Sequence, residues 1–147
     1  MKNKILFVLT LIIVFTVSSL AYVSAANNAR IVDNADLLTD SQETELLSYI
    51  DKVSEDKNFD LVFVTVDSLG GKTAFEYADD FFDYNYFGIG DDKDGVIYLI
   101  DMDNREIFIS TNGSAVSIYN DDIVDLMLDE CYADVSINDY SSSVMSF

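Results

Sequence analysis

The pattern of apolar and polar residues along the chain predicts strands that alternate with helices. Residues 61–66 and residues 96–100 are near-continuous apolar runs rich in β-formers, which suits strands buried on both faces. Residues 105–111 alternate between apolar and polar, as expected for a hairpin partner of the second run across a turn at residues 101–104. The pattern therefore predicts three strands.

Capping residues predict where the helices begin. Residues 39–42 and residues 73–76 each place a threonine three positions before a glutamine or glutamate, which is the pattern of a capping box. Apolar residues follow both at helical spacing. A third helix is predicted to begin at Asn120 or Asp121, and a last one near Asp139.

The order of these elements predicts the fold class. A strand, a helix and a second strand form a βαβ unit, so the first two strands should be parallel with a right-handed crossover. The third strand should then pair antiparallel, and the helices should cover both faces of the sheet. We therefore expect an α/β protein: a three-layer α/β/α sandwich around a small mixed sheet, without internal repeats.

The first 25 residues predict a targeting segment. A basic start at residues 1–4 precedes an apolar run at residues 5–17 and small residues at 23–25, the layout of a secretory signal peptide. The alternative is an uncleaved anchor, since residues 5–23 could span a bilayer. Either interpretation places the second part of the chain, residues 26–147, outside the cytoplasm, secreted or in the cell envelope. Cleavage predicts a mature N-terminus at Ala26 or Asn27.

Charge excludes several classes of partner. The chain carries 27 acidic and 8 basic residues, for a net charge of −19. Without Lys2 and Lys4, 6 basic residues face 27 acidic ones and the net charge becomes −21. A nucleic-acid ligand would need clustered Lys and Arg, so none is expected, and membrane contact is expected only through the N-terminal segment if it is retained. Half of the residues are hydrophobic, so the acidity does not indicate disorder.

Composition also limits the chemistry. The chain has no histidine and one cysteine, which excludes Ser-His-Asp and Cys-His catalysis and leaves no zinc or copper ligand set. Any metal must therefore be held by oxygen ligands, which points to Ca²⁺ or Mg²⁺. The alternative is that acids in loops and first helical turns are solvated or cap helices. Arg105 has two possible roles: a salt bridge, or a bidentate grip on a phosphate or carboxylate near a metal.

Short motifs, none specific alone, follow one another along the chain at residues 32–39, 61–66 with 68–69, 77–78, 87–90, 94–97, Arg105, Gly113, 120–121 and 139–140. This ordered set resembles the TPM-domain family of exported bacterial and plastid domains. The resemblance covers roughly residues 30 to 147.

The resemblance implies an α/β/α sandwich with an acidic groove that binds Ca²⁺ or Mg²⁺, and some plant members are described as acid phosphatases. By position, Asp33, Asp94 and Asp121 match the family's recurring acids and Arg105 its recurring arginine. The metal candidates are therefore Asp33, Asp94 and Asp121, with Asp36 and Asp92 in second rank, and the catalytic candidates are Arg105 and Asp94. Asp36 departs from the family, which often has glycine there, and the chain ends within the region that matches the final helix.

Two functions from different classes follow from these observations, and a third hypothesis stands as their alternative. The first is a divalent-cation-binding domain with weak metal-dependent phosphomonoester hydrolysis, in which the metal activates water and Arg105 holds the anion. The second is a non-catalytic module, braced by Ca²⁺, that contacts another protein of the cell envelope. The third is a secreted domain that binds no metal.

Overall fold

A computed structural model describes residues 29–147 of the chain, and the predicted targeting segment lies outside these residues. The described part contains four strands and five helices in α/β order. They are β1 (Ile31–Asp33), α1 (Asp40–Lys57), β2 (Asp60–Val66), α2 (Ala74–Tyr84), β3 (Gly95–Asp101), β4 (Glu106–Asn112), α3 (Ala115–Ile118), α4 (Asp121–Val135) and α5 (Tyr140–Ser146). Within residues 29–147 no helix is long and apolar enough to cross a membrane.

The four strands form one mixed sheet in the order β1-β2-β3-β4. β1 and β2 are parallel, as are β2 and β3, whereas β4 pairs antiparallel with β3 over seven uninterrupted residue pairs, from Gly95 opposite Asn112 to Asp101 opposite Glu106. The predicted parallel unit and hairpin are therefore confirmed. The prediction of three strands was wrong: β1 has only three residues, too few for an alternating pattern to show.

Each face of the sheet packs against helices and forms its own apolar core. On one face, α1, α4 and α5 bury Leu46, Cys131 and Val144 against strand residues that include Phe63 and Tyr98. On the other face, α2 buries side chains against β2 and β3, namely Ala74, Ala78, Phe82, Val62, Val64, Ile97 and Leu99. The three-layer sandwich is thus confirmed.

The two crossover connections have opposite hands. The strands step in one direction from β1 to β2 to β3, yet α1 covers one face of the sheet and α2 covers the other. The strong preference for right-handed crossovers is therefore met by only one of the two βαβ units. As a consequence, the loops that leave β1 and β2 diverge toward opposite faces.

A buried polar network attaches α5 to the rest of the fold. The Tyr98 hydroxyl and Ser143 Oγ lie 2.7 Å apart, and Ser143 Oγ donates to the Cys131 carbonyl at 3.1 Å. Burial raises the pKa of the Cys131 thiol to about 11. The predicted last helix is therefore packed into the core, and the cysteine is buried.

Candidate acidic site at the carboxyl edge

The strand directions divide the loops between two ends of the sheet. We call the end where β1, β2 and β3 finish, and where β4 begins, the carboxyl edge, and the opposite end the amino edge. Asp33, Asp36 and Arg105 lie in loops or at a strand end on the carboxyl edge. Asp92 and Asp94, which precede β3, lie at the amino edge.

Asp33 closes the loop between β1 and α1. One carboxylate oxygen accepts from the Leu38 backbone N–H at 2.7 Å, and the other accepts from the Thr65 hydroxyl of the paired strand. A carboxylate oxygen can accept more than one bond, so Asp33 retains lone pairs for a cation. Its first task, however, is to hold the loop.

Further carboxylates stand close to Asp33. Asp36 is exposed and has φ of 53°, a left-handed conformation that glycine adopts most easily and that Asp and Asn tolerate. Desolvation is the largest cause of a raised pKa at Glu43, in the first turn of α1, and the carboxylates of Asp33, Asp40 and Asp36 add to the rise by repulsion. The negative charges of these three aspartates therefore act on the Glu43 carboxylate.

The hairpin between β3 and β4 adds a second group of polar side chains at this edge. Asp101 is fully buried and accepts from the Asp103 backbone N–H at 3.1 Å and from Asn104 Nδ2 at 2.6 Å, which fixes the turn. Arg105 is exposed at φ of 54° and forms no ion pair with any residue of the described chain. It lines a pocket of about 90 Å³ with Asp101 and Tyr132, among others. Arg105 is therefore available to an anion.

The amino edge is organised differently. Asp94 Oδ1 accepts from the Ser114 backbone N–H at 2.6 Å, so this carboxylate holds the turn after β4. Gly113, in that turn, has φ of 62° and packs against Asp92 and Asp94 so closely that a side chain there would clash. Asp121 is exposed in the first turn of α4.

The structure does not bring the sequence-predicted catalytic pair together. Asp94 directly precedes β3 and Arg105 directly precedes the antiparallel β4, so the two lie at opposite ends of a seven-residue strand. At ~3.3 Å per residue this separation is roughly 20 Å. For the same reason Asp33 and Asp36 cannot share one cation with Asp92, Asp94 or Asp121. The single groove expected from the sequence becomes two separate acidic regions.

Neither region is a preformed metal cage. Among residues 29–147, no three acidic or cysteine side chains converge at metal-binding geometry. The oxygen-only donors of the carboxyl edge nevertheless suit a hydrated Ca²⁺ or Mg²⁺, which tolerates few protein ligands and retains water. Sequence reasoning missed Glu43 as a member of this group. Its position three residues after Asp40, in the turn next to the Asp36 loop, was the available signal.

The fold is an α/β/α sandwich with an acidic carboxyl edge, and comparison with known proteins identifies its family. A family model described as the TPM domain matches residues 31–146. The chain therefore belongs to the TPM-domain family. A search of curated proteins found no match.

Solved structures show the same fold. The N-terminal domain of a P. gingivalis protein has a TM-score of 0.70 and 15% identity, covering 83% of this chain and 78% of its own. The N-terminal domain of the cg2496 protein from Corynebacterium glutamicum has a TM-score of 0.64 and 18% identity, covering 86% and 80%. The BA42 protein from Bizionia argentinensis has a TM-score of 0.60 and 14% identity, covering 73% of each chain.

Proposed function

We propose that this TPM domain is an exported module that binds Ca²⁺ or Mg²⁺ at the carboxyl edge, through Asp33, Asp36 and their neighbour Glu43. The observation that carries the proposal is the divergence of the loops after β1 and β2 toward opposite faces of the sheet. In open α/β sheets, adjacent strands whose connections diverge leave a crevice at their carboxyl ends, and ligands bind in it. Here the acidic loop after β1 would border that crevice.

Electrostatics support a cation as the ligand. Glu43 has a raised pKa because burial and its acidic neighbours disfavour its charge. A divalent cation among these carboxylates would remove the repulsion that they exert on one another. The helix dipole of α1 offsets part of that repulsion, since Asp40 and Glu43 lie in its first turn. The gain left for the cation is therefore modest, which fits a weak extracellular Ca²⁺ site.

Thermal unfolding with Ca²⁺, Mg²⁺ or EDTA tests the site. If the dissociation constant lies near 10⁻⁴–10⁻³ M, millimolar Ca²⁺ should stabilise the fold by about 1 kcal/mol, a melting shift of a few degrees. Asp36→Asn, which keeps a residue tolerant of the left-handed conformation, and Glu43→Gln should each reduce the Ca²⁺-specific shift. Asp56→Asn, on α1 away from the edge, should keep it.

Two controls separate the alternatives. NaCl at matched ionic strength measures the part of the shift that is only charge screening. Asp94→Asn and Asp121→Asn probe the amino edge: loss of the Ca²⁺ shift in these variants, with retention in Asp36→Asn, would move the site to the other end of the sheet. No Ca²⁺-specific shift in the parent protein would leave a secreted domain that binds no metal.

Phosphomonoester hydrolysis is the second candidate function, and Arg105 is the observation that favours it. Its guanidinium has no ion pair within residues 29–147 and lies on the same edge as the proposed cation. A metal there would supply an activated water, and Arg105 would orient the phosphoryl oxygens. Because Asp94 is remote, the edge provides no designated general base, so we favour binding over catalysis. Metal-dependent turnover of p-nitrophenyl phosphate that is lost in Arg105→Gln would establish the hydrolase.

A further inference from the structure

The outer edge of β4 lacks the sequence features that protect most strand edges. β4 ends the sheet within the described residues, and its seven residues pair with β3 without a bulge. Natural sheets protect such edges with proline, inward-pointing charge, bulges or very short strands. β4 has none of these, since its only charged residue is Glu106 at the end of the strand. The other edge strand, β1, has only three residues.

A groove follows this edge, and both faces of the sheet contribute to it. It measures about 400 Å³ and is lined by Phe75 of α2 together with Val124 and Leu128 of α4. Phe108 and Phe75 contact edge to face on the α2 side, with ring centres 6.4 Å apart. Val116 is 56% exposed and Phe75 is 57% exposed. Helices from the two layers therefore flank the position that a fifth strand would take.

Charge identifies the occupant. Asp121 and Asp125 line the α4 side of the groove, and Glu76 is exposed on the neighbouring part of α2. A second copy of the chain would bring the same acids against themselves, on two molecules whose predicted exported parts each carry −21. A basic segment would meet these acids favourably. Opposite charge across an interface also speeds encounter and excludes wrong partners.

We infer that β4 accepts an extended segment of a partner protein, as an added strand in which apolar residues alternate with Lys or Arg. The partner's backbone would pair with the outward N–H and C=O groups of β4, and its apolar side chains, on the face toward α2, would contact Phe75 and Phe108. Its basic side chains would reach the acids of α4. This inference concerns the edge of the sheet formed by β4, which is opposite the edge formed by β1. It does not rest on the cation site.

Binding of a labelled eight-residue peptide of alternating Lys and Val tests the inference. Fluorescence anisotropy should show saturable binding, and hydrogen exchange should show new protection of β4 amides. Asp125→Lys should weaken binding by ~fivefold, equivalent to one rim ion pair. Asp129→Lys, exposed one turn further along the same helix, makes the same charge change outside the groove and should leave the affinity unchanged.

Three further results separate strand addition from its alternatives. A peptide with alternate backbone nitrogens methylated keeps the charge but loses half of its donors, so it should not bind; equal binding would mean charge attraction alone and would overturn the inference. An alternating Glu and Val peptide should not bind either, and its binding would contradict the charge argument. Protection without peptide of the β4 amides that point away from β3, together with a dimer in sedimentation, would assign the edge to a second copy instead.

Discussion

Glu43 and Glu76 lie in the first turns of α1 and α2, yet their surroundings shift their pKa values in opposite directions. The backbone N–H and hydroxyl of Thr73 donate to the Glu76 carboxylate, both at 2.9 Å, and lower its pKa. Burial and neighbouring carboxylates raise the pKa of Glu43. As pH falls, the stabilisation from Glu76 is lost once pH passes through its folded-state pKa, whereas the repulsion around Glu43 is relieved.

A side-chain NMR titration from pH 7 to pH 2 checks this contrast. Glu43 should titrate above 4.5 and Glu76 below 4.5, the ordinary value for both. Thr73→Ala should move the Glu76 midpoint upward, because it removes the hydroxyl donor. Thr44→Ala, on the exposed side of α1, serves as the control and should leave Glu76 unchanged. A Glu76 midpoint at or above that of Glu43 would refute the assigned causes.

At the scale of elements, the sequence predicted most of the fold because its local signals agree with its packing. Both capping boxes form as expected, with Gln42 and Glu76 as the third helical residues, and Asn120 caps α4. β1 was missed because three residues carry no periodicity, and its pairing with β2 depends on residues more than 30 positions away.

The site was less predictable than the fold, because its position depends on the direction in which each strand runs. The resemblance grouped Asp94 with Arg105 by motif, but each precedes a strand, and the two strands run antiparallel. The predicted hairpin alone would have separated the two residues. The sequence predicted helices on both faces of the sheet, but not that α1 and α2 lie on opposite faces, because one of the two βαβ units departs from the usual hand.

Ser143 of α5 is hydrogen-bonded to Tyr98 of β3 and to Cys131 of α4. A substitution at Ser143 therefore tests how this short helix is attached. Ser143→Ala removes one hydrogen-bond partner of the buried Tyr98 hydroxyl and of the Cys131 carbonyl, so we expect a loss of about 0.5–1.5 kcal/mol in the free energy of unfolding. Adding Tyr98→Phe should recover part of the loss, because it removes the hydroxyl that has lost its Ser143 partner. Ser141→Ala on the same helix is the control. Denaturant unfolding measures all three, and a neutral Ser143→Ala would show that the network does not hold α5.

At the scale of the whole molecule, repulsion between like charges outweighs ion pairing. Within residues 29–147 there are three ion pairs: Arg30 with Asp51, Arg30 with Asp60, and Lys72 with Asp80. Arg30 joins the start of β1 to α1 and β2. Burial opposes its charge, but the hydrogen bonds that it donates to Asp60 and Asp51, together with their negative charges, outweigh burial and raise its pKa. Most carboxylates thus have no basic partner, and their mutual repulsion destabilises the compact state.

Salt should therefore stabilise this protein. Raising NaCl from 0.01 M to 0.15 M shortens the Debye length from about 30 Å to about 8 Å and screens repulsion between distant acids. We expect the melting temperature in EDTA to rise over this range. Tetramethylammonium chloride should act like NaCl, since screening does not depend on the cation's coordination chemistry. A fall in melting temperature would mean that the few ion pairs dominate.

The burial of Cys131 makes the fold independent of the redox state of the compartment in which it forms. It is the sole cysteine of the chain, fully buried, and its pKa of about 11 keeps the thiol protonated near neutral pH, whereas the thiolate is the form that reacts. An oxidising exterior can make no internal disulfide in this chain, and a reducing cytoplasm has none to break. The domain can thus mature on either side of a membrane without an oxidase or an isomerase, since every constraint on its shape is noncovalent.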